Sequence, residues 1–142
     1  MFKDKINLSL RLEVNSEEME AIDLVVDTGV RSAASHLGTS ANSDSWMPFI
    51  AIGDGVTEPS STDESLESEL HRKRGTVTVE NNTYFVEADF AVDEPTDDCI
   101  VREIGIFDAI SGGNMGARWL LVEDVIKEYD RGINVRCAIT LT

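Results

Sequence analysis

Residues 99–108 read CIVREIGIFD, a short strand-like run with one charged pair, Arg102 and Glu103, near its centre. Because side chains alternate in an extended chain, its isoleucines are expected on one face and the odd-numbered residues 101–107 on the other. Gly105 weakens a strand, so it indicates a bulge or the close approach of another backbone. The rest of the chain is interpreted as support for this strand.

Alternation of apolar and polar residues predicts further strands on both sides of this run. Asn81-Asn82 is expected to form a hairpin turn, because asparagine tolerates positive φ. The glycines of GDG, residues 53–55, permit positive φ in a tight turn. The further predicted strands are residues 5–14, 22–26, 46–52, 76–80, 84–92, 115–122 and 133–141.

Two short helices are also predicted, at 28–37 and at 62–71, each opened by a threonine N-cap. In the second, the apolar pair Leu66 and Leu70 has helical spacing, and we expect Arg102 to pair with one of its acids, Glu67 or Glu69. The chain is therefore predicted to be a mainly β (α+β) fold, an antiparallel β-sandwich with two short helices and an N-terminal extended strand. Residues 1–21 would form a strand or arm that is available for exchange with a neighbour, and residues 22–142 would form the β domain.

The composition is strongly acidic. Among the 142 residues, Asp and Glu number 27 and Lys and Arg 12, which gives a net charge of -15. Such a chain repels phosphate backbones, so we expect no nucleic-acid partner. An acidic, lysine-poor surface favours a halophilic source, since strong salt screens the self-repulsion. No run approaches the roughly 20 apolar residues of a membrane span, and the start, MFKDKINLSL, lacks the apolar block of a signal peptide. We therefore expect a soluble protein that is made in the cytoplasm and has no membrane partner.

No catalytic, cofactor or metal motif is found. His36 and His71 lack a neighbouring nucleophile, and the separate Cys99 and Cys137 do not have zinc-ligand spacing. The two cysteines are most simply buried thiols, although they could pair if their strands were neighbours. The GDG turn lacks the glycines and lysine of a phosphate loop and the oxygen ligands of a calcium loop. The sequence thus predicts a protein that is not an enzyme.

Three motifs in this order resemble the N-terminal domain of phage tail-collar fibre proteins and related baseplate-attached tail proteins. They are GDG at residues 53–55, a leucine-glutamate-arginine segment, and VREIGIFDA at residues 101–109. The resemblance covers roughly residues 22–142. The structural motif that it implies comprises Gly53, Asp54, Gly55, Leu66, Glu69, Arg72, Arg102, Glu103, Gly105 and Phe107.

The resemblance implies a virion structural protein of a tailed virus, an adaptor that anchors tail fibres or receptor-binding parts to the tail tip or baseplate. Its expected location is the virion tail after assembly in the host cytoplasm, and its expected partners are other tail or baseplate proteins and copies of itself in a trimer or ring. With the acidic surface, a virus of salt-loving archaea is favoured. Trp46 and Trp119 are either interface residues or core residues. A capsid decoration protein and a carbohydrate-binding module are the alternatives.

Overall fold

The computed structural model describes residues 8–26, 46–95, 97–128 and 130–141. Their secondary structure is ten β-strands, and these residues contain no helix. The strands are β1 (Leu8–Val14), β2 (Glu17–Glu18), β3 (Ala21–Val25), β4 (Phe49–Gly53), β5 (Glu69–Arg74), β6 (Thr76–Glu80), β7 (Thr83–Phe90), β8 (Cys99–Phe107), β9 (Met115–Lys127) and β10 (Ile133–Leu141).

The strands form two antiparallel five-stranded sheets, which confirms the prediction of a mainly β, two-sheet architecture. The first sheet has the order β2-β1-β10-β7-β6 and the second β3-β9-β8-β4-β5. One apolar core lies between them, built from the alternate residues that each strand turns inward. Its buried members include Leu12, Val86 and Val135 from the first sheet and Ile52, Ile104 and Trp119 from the second.

The N-terminal strand β1 belongs to this core. It pairs with β10 along its whole length, from Leu8 opposite Leu141 to Val14 opposite Val135, and it lies between β10 and β2. Leu12 and Val14 are buried in the shared core. Within this chain, the described part of the predicted arm supplies β1 and β2 of the first sheet and the first residue of β3, while residues 1–7 lie outside the described residues.

The helix predicted at 62–71 is wrong. Residues 62–68 form a loop, and β5 (Glu69–Arg74) pairs with β4, with Phe49 opposite Arg74 and Gly53 opposite Glu69. Helical spacing of two leucines is a local signal, whereas the backbone partner that makes β5 a strand lies about twenty residues away in sequence. The helix predicted at 28–37 lies outside the described residues.

The prediction of which β8 side chains share a face of the strand is also partly wrong. Val101 packs into the core between the sheets together with Ile104 and Ile106. The reason is a register shift, because Val101 lies opposite Val125 but Glu103 lies opposite Leu120, which leaves β9 with extra residues at this point. A bulge of this kind interrupts the alternation of faces that the sequence predicts.

The predicted hairpin is confirmed. β6 and β7 pair from Thr76 opposite Glu87 to Glu80 opposite Thr83, and the turn contains Asn81 with a φ of 54°. Asparagine tolerates this left-handed conformation better than most residues do. β9 (Met115–Lys127) is longer than predicted, because its continuation past residue 122 pairs with the start of β8.

Candidate functional site

A second apolar cluster lies on the outer face of the second sheet. A loop of residues 54–68, here called the covering loop, contributes Leu66 to it. Outward-facing residues of an antiparallel sheet are commonly solvated, but here they are buried. The buried members of this cluster are Val26, Ala51, Leu66, Phe107 and Met115.

The carboxylate of Glu103 ties both ends of the covering loop to β8. Its Oε2 accepts hydrogen bonds from the backbone N–H groups of Gly55 (2.8 Å) and Ser68 (2.7 Å). Its Oε1 accepts one from the N–H of Glu67 at 2.9 Å. Glu103 is 0% exposed, so these bonds form away from water, where charge-assisted hydrogen bonds are strong.

Arg118 neutralises this buried carboxylate. Its Nε and Nη2 donate to Oε1 of Glu103 at 3.0 and 2.9 Å, and its Nη1 donates to Oδ2 of Asp63 at 3.4 Å. The Arg118 side chain is only 2% exposed. A buried ion pair is tolerated when hydrogen bonds satisfy its remaining polar atoms, as the backbone donors do here.

The glycines of the GDG motif provide the space for the Glu103 carboxylate. A Cβ at Gly53 would lie 2.6 Å from Oε2 of Glu103 and 2.5 Å from the backbone oxygen of Ser68, and one at Gly55 would lie 2.5 Å from the same Oε2. The sequence suggested that these glycines permit positive φ, but neither of them has it, so their role here is the space that they leave. Asp54, between them, donates its N–H to Ser68 O at 3.0 Å.

Arg72 forms a second part of the same face. Its guanidinium carbon lies 3.6 Å from the ring centroid of Phe107, and its Nε and Nη2 donate to the two carboxylate oxygens of Glu69 at 3.0 and 2.7 Å. Its Nη1 donates to the carbonyl oxygens of Ala109 and Gly112, both at 2.9 Å. One side chain therefore joins β5, β8 and the loop that follows β8.

The covering loop leaves little room for a side chain at position 105. A Cβ at this position would lie 2.9 Å from Cδ2 of Leu66 and 3.2 Å from Cε1 of Phe107. The approaching group is thus a side chain rather than the backbone that the sequence suggested. Gly105 lies directly opposite Arg118 in the β8–β9 ladder, between the two register shifts.

Arg102 lies outside this cluster. Its Nε is 3.3 Å from Oδ1 of Asp124, and both side chains are partly exposed. The prediction that Arg102 pairs with Glu67 or Glu69 is wrong, because those acids bind other groups on a different part of the sheet. Asp124 lies in the stretch of β9 that bulges opposite Arg102, and its proximity depends on that register shift.

Sequence reasoning missed Arg118, although a signal was present. Residues 115–122 read MGARWLLV, in which one charged residue stands among apolar and small neighbours. A charge in a buried strand requires a partner of opposite sign, and Glu103 on the adjacent strand is in a similar apolar setting. The two could have been matched as a buried pair.

An open cavity of about 470 Å³ lies beside Arg118, under the covering loop. Within the loop, the Glu67 carboxylate accepts hydrogen bonds from Oγ1 and N of Thr57 (2.6 and 2.9 Å) and from the N–H of Val56. These bonds, the Thr57 side chain first, lower the pKa of Glu67. The residues lining the cavity are Thr57, Thr62, Asp63, Glu64, Ser65, Leu66, Glu67 and Arg118.

The two tryptophans are core residues. Trp46 is 5% exposed and packs edge-on against Tyr84, with ring centroids 5.4 Å apart, and Trp119 is fully buried. An interface residue has to be accessible on the surface of the chain, and neither tryptophan is.

Cys99 and Cys137 are free thiols in different sheets, and burial raises the pKa of both.

The histidines and the clusters of potential metal ligands are the remaining candidates for chemistry. His71 packs edge-on against Phe90 and lies 3.8 Å from a carboxylate oxygen of Glu94, while His36 lies outside the described residues. No group of three or more His, Cys, Asp or Glu side chains in the described ranges could hold a metal ion. The same ranges contain no helix with the length and apolar character to cross a membrane.

Fold and site together define a two-sheet β domain in which the buried Glu103 carboxylate and Arg118 hold the covering loop on one sheet, while Arg72 joins the loop after β8 to the same sheet. Comparison of the chain with protein-family models, with curated proteins and with solved structures finds no match.

Proposed function

We propose that this chain is a virion structural protein of a tailed virus, an adaptor that anchors tail fibres or receptor-binding parts to the tail tip or baseplate. The observation that carries the proposal is that the motifs of the resemblance converge in space. Gly53 and Gly55 enclose the carboxylate of Glu103, which lies 48 residues from Gly55 in sequence, and Leu66 packs against Gly105. Motifs matched by chance would have no reason to form one connected cluster.

The contacts within the cluster favour a structural role over a chemical one. Four of the five charged side chains of the motif, those of Glu69, Arg72, Arg102 and Glu103, are engaged by protein groups. The Glu103 carboxylate accepts five hydrogen bonds, and the Arg72 guanidinium donates four while lying against an aromatic ring. Groups used in this way fix the shape of a loop and are poorly placed to act on a substrate.

The proposed partners are other tail or baseplate proteins and further copies of the chain in a trimer or ring. The net charge of -15 supports a virus from a salt-rich environment, because screening there weakens repulsion between acidic subunits. We expect the free energy of unfolding to increase from low to multimolar salt. Equal stability across that range would remove the halophilic part of the proposal.

The proposal is tested by labelling virus particles with gold-conjugated antibodies against the purified chain. Label at the tail tip would support it. Label over the head would favour the capsid decoration protein instead, and a complete lack of particle label would refute both. Serum pre-absorbed with the purified chain is the control for nonspecific binding.

The carbohydrate-binding alternative is less well supported. Such a module stacks exposed aromatic rings on sugars, and both tryptophans of this chain are buried. A glycan array probed with the labelled chain tests it directly, and reproducible binding to a defined sugar would favour this alternative over the adaptor.

A further inference from the structure

Strand β6 forms one edge of the first sheet. It pairs with β7 on one side, and no strand of the described ranges pairs with it on the other. Its sequence is TVTVE, and four of its five residues are exposed. An open edge of this kind presents unpaired backbone donors and acceptors to any extended chain that can reach it.

The hairpin determines which backbone groups point outward. The turn between β6 and β7 has two residues, so the flanking pair, Glu80 and Thr83, exchanges backbone hydrogen bonds. Hydrogen-bonded pairs alternate along the ladder, which directs the N–H and C=O groups of Thr78 toward β7. The same groups of Val77 and Val79 therefore point away from the hairpin, toward solvent.

The other edges among the described strands are protected in ways that β6 is not. β2 consists of two glutamates, β5 reads ELHRKR, and β3 has Asp23 at its centre. The exposed length of β1 beyond β2 carries Arg11. Charges in an edge strand oppose pairing with another chain, whereas the charge of β6 is confined to Glu80 at the turn.

We propose that β6 is the docking surface for β6 of a second copy of this chain, in an antiparallel pair about a two-fold axis at Thr78. In this register Val77 of each copy lies opposite Val79 of the other, and these residues exchange four backbone hydrogen bonds. Thr78 meets its own copy, and Glu80 lies opposite Thr76, so no two like charges face each other across the pair. The first sheets of the two copies then join into one ten-stranded sheet.

The side chains fit the same arrangement. Val77 is half-buried against the core, and Val79, on the same face, is 47% exposed in the single chain. In the pair, the four valines of the two copies lie side by side and shield one another. A two-fold contact closes at two copies, so a ring or trimer would require a second contact elsewhere.

The net charge of -15 per copy opposes association at low salt. At about 1 M salt the screening length falls to roughly 3 Å, and short-range pairing is then almost unopposed. Dimerisation should therefore strengthen with salt. This dependence distinguishes edge pairing from association driven by ion pairs, which salt would weaken.

The test is sedimentation equilibrium of the full chain from low to molar salt. The expected result is a monomer–dimer equilibrium that shifts toward dimer as salt rises. Val79→Pro should raise the dissociation constant roughly 30-fold, because two intermolecular hydrogen bonds are lost per dimer. The fold should survive, because the N–H of Val79 faces away from β7 and an edge strand tolerates proline there.

Two further variants separate docking from folding. Val79→Asp adds a charge at the edge, and Val122→Asp makes the same change on the other sheet, where Val122 is 60% exposed. The first should remain monomeric and the second should dimerise like the wild type, with both showing the wild-type circular dichroism spectrum. A chain that stays monomeric at every salt concentration, or a Val79→Pro variant that dimerises normally, would overturn the proposal. The measurement uses the isolated chain, so its failure would leave the adaptor proposal intact.

Discussion

Replacing Glu103 by glutamine tests whether its carboxylate holds the covering loop in place. Both oxygens of Glu103 act as acceptors, Oε2 for Gly55 and Ser68 and Oε1 for Glu67 and Arg118. A glutamine side chain has one oxygen and one NH2 group. In either orientation the NH2 group points at donors, and at least two buried donors lose their acceptor.

The magnitude follows from those donors. Each buried donor left without a partner costs about 1–3 kcal/mol, so the loss of two acceptors in Glu103→Gln should lower the free energy of unfolding by about 2–6 kcal/mol. A domain of this size has about 5–15 kcal/mol in total, so the variant should still fold. With a urea m-value of about 1–3 kcal/mol/M, the midpoint should fall by roughly 2 M.

Urea unfolding followed by tryptophan fluorescence measures this change, because Trp46 and Trp119 are both buried in the folded chain. Glu123→Gln is the matched control, since Glu123 is exposed on β9 and its replacement should shift stability by no more than about 0.5 kcal/mol. A Glu103→Gln midpoint equal to that of the control would refute the proposed role of the carboxylate. The amides of the covering loop should also exchange with solvent faster in the variant.

Three further predictions concern the same face. Gly53→Ala should lower the free energy of unfolding by about 3 kcal/mol, because its Cβ would lie 2.5 Å from a backbone oxygen. Gly105→Ala should lower it by about 1 kcal/mol, because its Cβ would lie 2.9 Å from a methyl group that can move. Equal costs for the two variants in urea unfolding would contradict this reasoning. Arg72→Lys should lower the free energy of unfolding by about 1–2 kcal/mol, because lysine cannot donate in a fork while lying flat on a ring, and an unchanged melting temperature would count against that contact. Thr57→Val should raise the pKa of Glu67 toward 4.5 in an NMR titration, because the Thr57 hydroxyl is the main group lowering it. The pKa of Glu67 in the folded wild type lies below 4.5, so the ionised Glu67 contributes to the stability of the fold above about pH 4.5. This contribution is lost as the pH falls through the pKa of the folded state, and the Thr57→Val variant should lose less stability on acidification.

Local pattern was sufficient for most of the strands. The alternation in β1 and β10, the Asn81 turn, and the strand character of β8 are all properties of neighbouring residues, because side chains of an extended chain alternate whatever lies opposite. The motif residues were also identifiable, and all but Arg102 contribute to the cluster around the covering loop. What the pattern could not show is how those residues contact one another.

Only the tertiary structure decided that the segment before Arg74 is a loop and a strand instead of a helix, because β5 exists through its ladder with β4. The bulge between β8 and β9 likewise moved Val101 to the inner face, and alternation along one strand cannot reveal extra residues in its neighbour. The sequence by itself determined most of the strands, with β2 and β5 as exceptions, and the strongly acidic charge of the chain. The pairing of Glu103 with Arg118 depends on strand register, which is set by hydrogen bonds between segments far apart in the chain.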